Sequence, residues 1–105
     1  MIDWTQIVGF DWDEGNARKS DEKHDVSQSE AEEMFFNQPL LVLSDSKHSQ
    51  QEPRFHALGK TDDERPLHIT FTLRVSATGM LIRVISARDM HRKERSKYEQ
   101  DKKDP

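Results

Sequence analysis

The sequence predicts an α+β fold: two helices, then a four- to five-stranded, mainly antiparallel sheet, then a closing helix. Three observations predict it. Residues 67–75 alternate apolar and polar side chains with period two, as a half-buried antiparallel strand does. Four strand-like segments follow one another from Leu40 to Ala87, so neighbours in sequence can pair as neighbours in space. Helix-start signals precede that block and a charged helical stretch follows it.

Taken in order, Ile7-Val8-Gly9-Phe10-Asp11-Trp12 reads as a short strand. Asp13 can cap a helix over roughly Glu14 to Lys23, almost wholly polar and therefore in need of tertiary support. Ser27 and Glu30 form a capping box for a second helix that buries Ala31, Met34 and Phe35 on one face. Pro39 ends it by forcing the residue before it out of helical geometry. Leu40 to Leu43 is an apolar strand, and 45–53 a polar loop. Arg54 to Leu58 is a strand closed by Gly59, followed by an acidic turn from Thr61 to Pro66. In the next strand Leu67, Ile69, Phe71, Leu73 and Val75 face one side, and His68, Thr70, Thr72 and Arg74 the wet one. Ser76 to Gly79 is a hairpin turn with a glycine suited to positive φ, and Met80 to Ala87 returns as the last strand. Asp89 to about Asp101 is a helix, with Met90 and Tyr98 as its narrow apolar stripe. All helices are expected against one face of the sheet.

With 105 residues, 32% hydrophobic and 34% charged, the chain supports one small-cored domain, 1–105, its core at about 7–100 and residues 101–105 frayed. There are no cysteines, hence no disulfide and no thiolate chemistry. No apolar run is long enough to span a membrane, and the first residues carry no signal core, so a cytoplasmic protein is the plain reading. The net charge of −4 argues against nonspecific nucleic-acid binding, but it is an average. Residues 11–33 hold nine acids and three bases, whereas 83–103 hold eight bases and four acids. A local basic patch can serve a phosphate on an acidic protein.

The most informative stretch is Leu81-Ile82-Arg83-Val84-Ile85-Ser86-Ala87-Arg88, followed by Arg92, Glu94, Arg95 and Tyr98. A strand that carries guanidinium groups needs an anion or a carboxylate to meet them, and arginine grips phosphate with two parallel donors. Together with Phe10-Asp11-Trp12-Asp13, Lys23-His24-Asp25-Val26-Ser27, Arg54 and Gly59, this stretch resembles the BrnT family of toxins in order and spacing, from about Phe10 to Tyr98. The resemblance implies a fold similar to the RelE superfamily and a metal-independent endoribonuclease that halts translation, with no cofactor. It implies an RNA substrate and a BrnA-like antitoxin partner, two toxins flanking an antitoxin dimer that binds DNA, so that the toxin meets DNA only indirectly. Asp25 stands where the family usually has glycine, and Ser20 where it more often has asparagine.

RNA cleavage without a metal needs a base for the 2′-hydroxyl, cations for the crowded phosphate and an acid for the leaving oxygen. The candidate catalytic residues are Lys23, His24, Arg54, Arg83, Arg88 and Tyr98. His24 is a candidate base or acid because imidazole can exchange protons at neutral pH, or it simply satisfies a helix end. Lys23 is a phosphate anchor, or a lysine complementing the helix dipole. Arg54 and Arg83 can lie on neighbouring positions of one sheet face. Strict alternation separates Arg83 from Arg88, and Arg88 can instead pair with Glu94. Tyr98 can stack on a base or pack in the core. His48, His56, His68 and His91 show no metal-ligand spacing. The alternative is a non-catalytic interaction module whose arginine face binds an acidic partner segment.

Overall fold

The structure is a computed structural model that describes residues 2–103; Met1, Asp104 and Pro105, and with the last two the end of the expected frayed tail, lie outside the described residues. A 3-10 turn at Trp4–Gln6 leads into strand β1 (Ile7–Phe10). Helices α1 (Glu14–His24) and α2 (Gln28–Phe36) follow. Strands β2 (Leu41–Ser44), β3 (Phe55–Lys60), β4 (Pro66–Val75) and β5 (Met80–Asp89) come next, and α3 (Arg92–Lys103) closes the fold. The sheet order is β1-β5-β4-β3-β2. The four later strands meander antiparallel, and β1 joins β5 in parallel.

Local chemistry accounts for the helix ends. Asp13 and Asn16 make a reciprocal capping box for α1, as Ser27 and Glu30 do for α2. Asp25 ends α1 in the left-handed conformation (φ 56, ψ 41), the geometry for which glycine is the easier residue. The next side chain, Val26, is fully buried, so the turn delivers the chain straight into the core.

One side of the sheet carries that core. Leu67, Ile69 and Phe71 of β4, Ala57 of β3, and Ile82, Val84 and Ala87 of β5 pack against Ala31, Met34 and Phe35 of α2. Phe71 is held edge-on by Phe35 at 5.2 Å and stacked by Phe55 at 5.4 Å, contacts that add about 0.5–1.5 kcal/mol each beyond area burial. Gly59 does not end its strand, which runs on to Lys60. A Cβ there would lie 2.7 Å from Met34 Cγ, so glycine is what lets α2 approach β3. Val75, expected on the core face, is 82% exposed at the last position of β4, next to the hairpin turn.

The helices do not all lie on one face, contrary to the expectation from sequence. Tyr98 and Met90 cluster with Leu58 and Leu41. Leu58 follows Ala57 in β3, and successive strand residues point to opposite faces. Therefore α3 packs on the side away from α2. The supposedly wet face is covered in part as well. Thr72 is completely buried, and its hydroxyl donates to the carbonyl of Pro53 in the β2–β3 loop.

Candidate active site

β1 pairs with β5 only as far as Ile82, which leaves the rest of that β5 edge without a strand partner. Helix α1 runs along it instead. Asn16 Nδ2 donates to the Val84 carbonyl at 2.9 Å, and Ser20 Oγ accepts from the buried Ala87 amide at 2.9 Å. Two side chains one helical turn apart thus replace a neighbouring strand, which explains why Asn16 and Ser20 are buried on an otherwise polar helix. The helix starts beside Arg83 and ends, at Lys23 and His24, towards Asp89.

Strict alternation would put Arg83 and Arg88, five residues apart, on opposite faces. The structure places them on the same one. The β4–β5 register slips between Thr70↔Ser86 and Phe71↔Val84, so Ile85 is an extra, bulged residue. Arg83 is opposite Thr72 and Arg88 is opposite His68, and these two partners share a face. Arg54 immediately precedes Phe55, the partner of Phe71, and so comes level with Thr72 on the other flank of β4. The three arginines thus belong to the face that carries α3.

Their partners differ. Arg83 donates to Asp13 at 2.7 Å and lies 3.5 Å from Asp11, and the bond to Asp13 raises its pKa. Arg88 makes a two-pronged pair with Glu94 at 2.8 and 3.0 Å, the strand-to-helix ion pair that sequence allowed. Burial pushes the Glu94 carboxyl up, but the bonds from Arg88 and from the His91 amide outweigh it and hold the group at about 2. Arg54 has no carboxylate partner among the described residues, and its Nε is buried without a hydrogen bond. It lines a cleft with Lys47, His48 and Gln51.

Lys23 is exposed and His24 half-buried in the last turn of α1. The carbonyls of His24 and Asp25 accept from Arg65, which also grips Asp89 and Glu30. Among the described residues, no hydrogen bond or ion pair joins any two of Lys23, His24, Arg54, Arg83, Arg88 and Tyr98. Tyr98 is 2% exposed and its hydroxyl donates to the Pro39 carbonyl at 2.6 Å. Its ring is therefore closed to an RNA base, which corrects the stacking expectation in favour of packing. Burial, with Glu99 nearby, raises its pKa.

Sequence reasoning passed over the most connected polar groups on this face. Asp45 Oδ2 accepts from His56 Nε2 at 2.7 Å, and His56 Nδ1 lies 3.1 Å from His68 Nε2. The two imidazoles stack at 5.0 Å, and Thr70 Oγ1 is 3.1 Å from His56 Nδ1. His68 and Glu94 approach to 3.9 Å. The one signal in the sequence was that both histidines fall on the polar parity of strands joined by a hairpin.

At the opposite edge Trp4, Val8 and Phe36 are exposed beside β1. Among the described residues no helix is long and apolar enough to cross a membrane. Residues 12–94 match the family described as the ribonuclease toxin, BrnT, of type II toxin–antitoxin systems. No curated protein matches the chain. The match spans most of the sequence, and the chain belongs to this family of ribonuclease toxins.

Proposed function

We propose that this chain is a metal-independent endoribonuclease that cleaves cytoplasmic RNA and so halts translation, and that a BrnA-like antitoxin neutralises it in a heterotetramer built around an antitoxin dimer. The observation that carries the reading is the shared face of Arg54, Arg83 and Arg88, brought about by the bulge at Ile85. Guanidinium groups from three positions on one surface suit a polyanion whose phosphates are spaced along a chain. RNA supplies its own nucleophile, the 2′-hydroxyl, so the protein need only move protons and stabilise the five-coordinate phosphate.

Roles follow from surroundings. Arg83 is matched with an exposed carboxylate that water screens, so a phosphate can take the place of Asp13. Arg54, with a donor already buried and unbonded, has an unmet demand for an acceptor. Arg88 holds a third phosphate oxygen once Glu94 gives way. Lys23 and His24 flank the β5 edge as a cation and a titratable group. Tyr98 serves by anchoring α3, which carries Glu94.

The test uses antitoxin-free protein, mixed RNA and EDTA. Cleavage should leave 2′,3′-cyclic phosphate ends, and Arg54→Ala or Arg83→Ala should slow it about 10²–10³-fold with the melting temperature preserved. Intact RNA under excess folded protein refutes the proposal. The pairing of Arg83 and Arg88 with carboxylates favours a second reading, a non-catalytic module whose arginine face takes an acidic partner segment. Growth arrest that survives Lys23→Ala, Arg54→Ala and Arg83→Ala together would favour it or an altogether different site.

A further inference from the structure

We propose that His68 is the general base of this ribonuclease, with His56 as its relay and Asp45 as the residue that positions the pair. The inference rests on the nuclease reading above and supplies the proton acceptor that the arginines cannot provide. Three elements build the arrangement: Asp45 directly follows β2, His56 lies on β3 and His68 on β4. His56 is thus held between a carboxylate at 2.7 Å and a second imidazole at 3.1 Å.

The hydrogen-bond pattern assigns the tautomers. An ionised Asp45 only accepts, so His56 carries its proton on Nε2 and offers Nδ1 as an acceptor. His68 then carries its proton on Nε2, facing His56, and keeps a lone pair on Nδ1. That atom has no hydrogen-bond partner among the described residues. Among the described residues, the buried side-chain polar atom without a partner is Arg54 Nε alone, so His68 Nδ1 is not fully sealed, on a side chain 12% exposed. The free lone pair is the one left for a reactant, since the other nitrogens of the line are engaged towards the carboxylate.

The position relative to a phosphate also fits. Arg88 is the cross-strand partner of His68. In the free protein the Glu94 carboxylate sits on that guanidinium at 2.8 and 3.0 Å and approaches His68 Nε2 to 3.9 Å. Two oxygens on one carbon there mark where two oxygens on one phosphorus would lie, at the Nε2 edge of the imidazole, one ring carbon from Nδ1. The charged and titratable groups that surround His68 are Arg88 from β5, Glu94 and His91 from the α3 side, and His56 from β3, with Asp45 and His48 behind it. Burial and then Arg88 hold His68 down at about 4, so it is neutral and ready to accept a proton at neutral pH.

In the step itself the O2′–H bond breaks and its proton goes to His68 Nδ1. The O2′–P bond forms as the P–O5′ bond breaks, and the 5′ oxygen leaves with a proton taken from water. His56 and Asp45 share the charge of the imidazolium through their hydrogen bonds. That proton is then released to the hydroxide left in solvent, and the enzyme is restored.

The experiment is single-turnover RNA cleavage in EDTA between about pH 3 and 9, a range that includes the acid limb set by His68, with wild type, His68→Gln and Asp45→Asn. Affinity is read separately with an RNA carrying a 2′-deoxy sugar at the scissile position. His68→Gln should slow cleavage by about 10²-fold or more with affinity unchanged. Asp45→Asn should slow it by about tenfold and move the acid limb to lower pH, since the pair loses the anion that favours its protonation. A His68→Gln protein that cleaves within about threefold of wild type at every pH overturns the proposal. If His68→Gln does not fold, the near-isosteric Asp45→Asn decides: an unmoved acid limb overturns it. Wild-type protein that leaves RNA intact fails differently, because it removes the nuclease reading itself.

Discussion

Arg65→Met offers a measurement of how the Lys23–His24 corner is held. Arg65 meets Asp89 with two parallel bonds at 2.7 and 3.1 Å and Glu30 at 3.0 Å. It also donates to the Asp25 carbonyl at 2.8 Å and, more weakly, to the His24 carbonyl at 3.4 Å. One guanidinium thus ties the end of α1, the start of α2 and the end of β5, and the bond it donates to Asp89 raises its pKa. Methionine keeps most of the stem and removes every donor. Charge-assisted bonds are worth about 1.5–3 kcal/mol each when buried, but Asp89 is more than half exposed and water screens that pair. The carbonyl bonds contribute about 0.5–1.5 kcal/mol each. A net loss of about 2–3 kcal/mol follows, which for a domain of this size lowers the melting temperature by roughly 10–15 °C. Thermal unfolding by circular dichroism at neutral pH measures it. Arg18→Met is the reference, since among the described residues Arg18 pairs only with Glu14 and Glu22 along its own helix, and it should stay within about 0.5 kcal/mol of wild type. If the two variants melt together, or Arg65→Met melts like wild type, the reasoning about this junction is wrong.

Ser20→Ala should cost about 1–3 kcal/mol by leaving the buried Ala87 amide without an acceptor, and hydrogen exchange at that amide should speed up; unchanged protection there would refute the edge role of α1. Asp25→Gly should stabilise the protein by about 0.5–1 kcal/mol, because glycine takes the left-handed conformation without a Cβ penalty; a lower melting temperature would count against it. Acid should weaken the fold through His68. Its folded pKa of about 4 lies below the ordinary value of 6.5, so the unfolded chain binds more protons between those values and stability falls as pH drops through that window. After allowance for solvent screening the loss is about 1–2 kcal/mol, and His68→Gln should abolish it in denaturant titrations at pH 7 and pH 4.5. An equal acid loss in that variant would assign the effect to other groups.

The helices α1 and α2 were legible because their signals are local. A capping box spans four residues, and the Ala31-Met34-Phe35 face spans five. The alternation in β4 likewise named Leu67, Ile69 and Phe71 as core without knowledge of any neighbour. The site was less legible. Arg54 and Arg83 were singled out for the chemistry of guanidinium on a strand, and the Arg88–Glu94 pair for its spacing. The common face of Arg83 and Arg88 was not, because a bulge adds one residue on one strand only and leaves no mark in composition. Nor could spacing reveal the line from Asp45 through His56 to His68, whose members come from separate elements.

What the sequence by itself determined is the set of elements, their order and the inward face of each. Those properties depend on turns, caps and periodicities within a few residues, where steric and hydrogen-bond preferences act directly. What only the tertiary structure decided is the side of the sheet on which α3 packs, the seating of α1 as a substitute edge strand, and which polar groups meet above β3, β4 and β5. These depend on strand register and on packing between segments tens of residues apart. A slip of one residue there exchanges one face for the other, and no short stretch of chain records which was chosen.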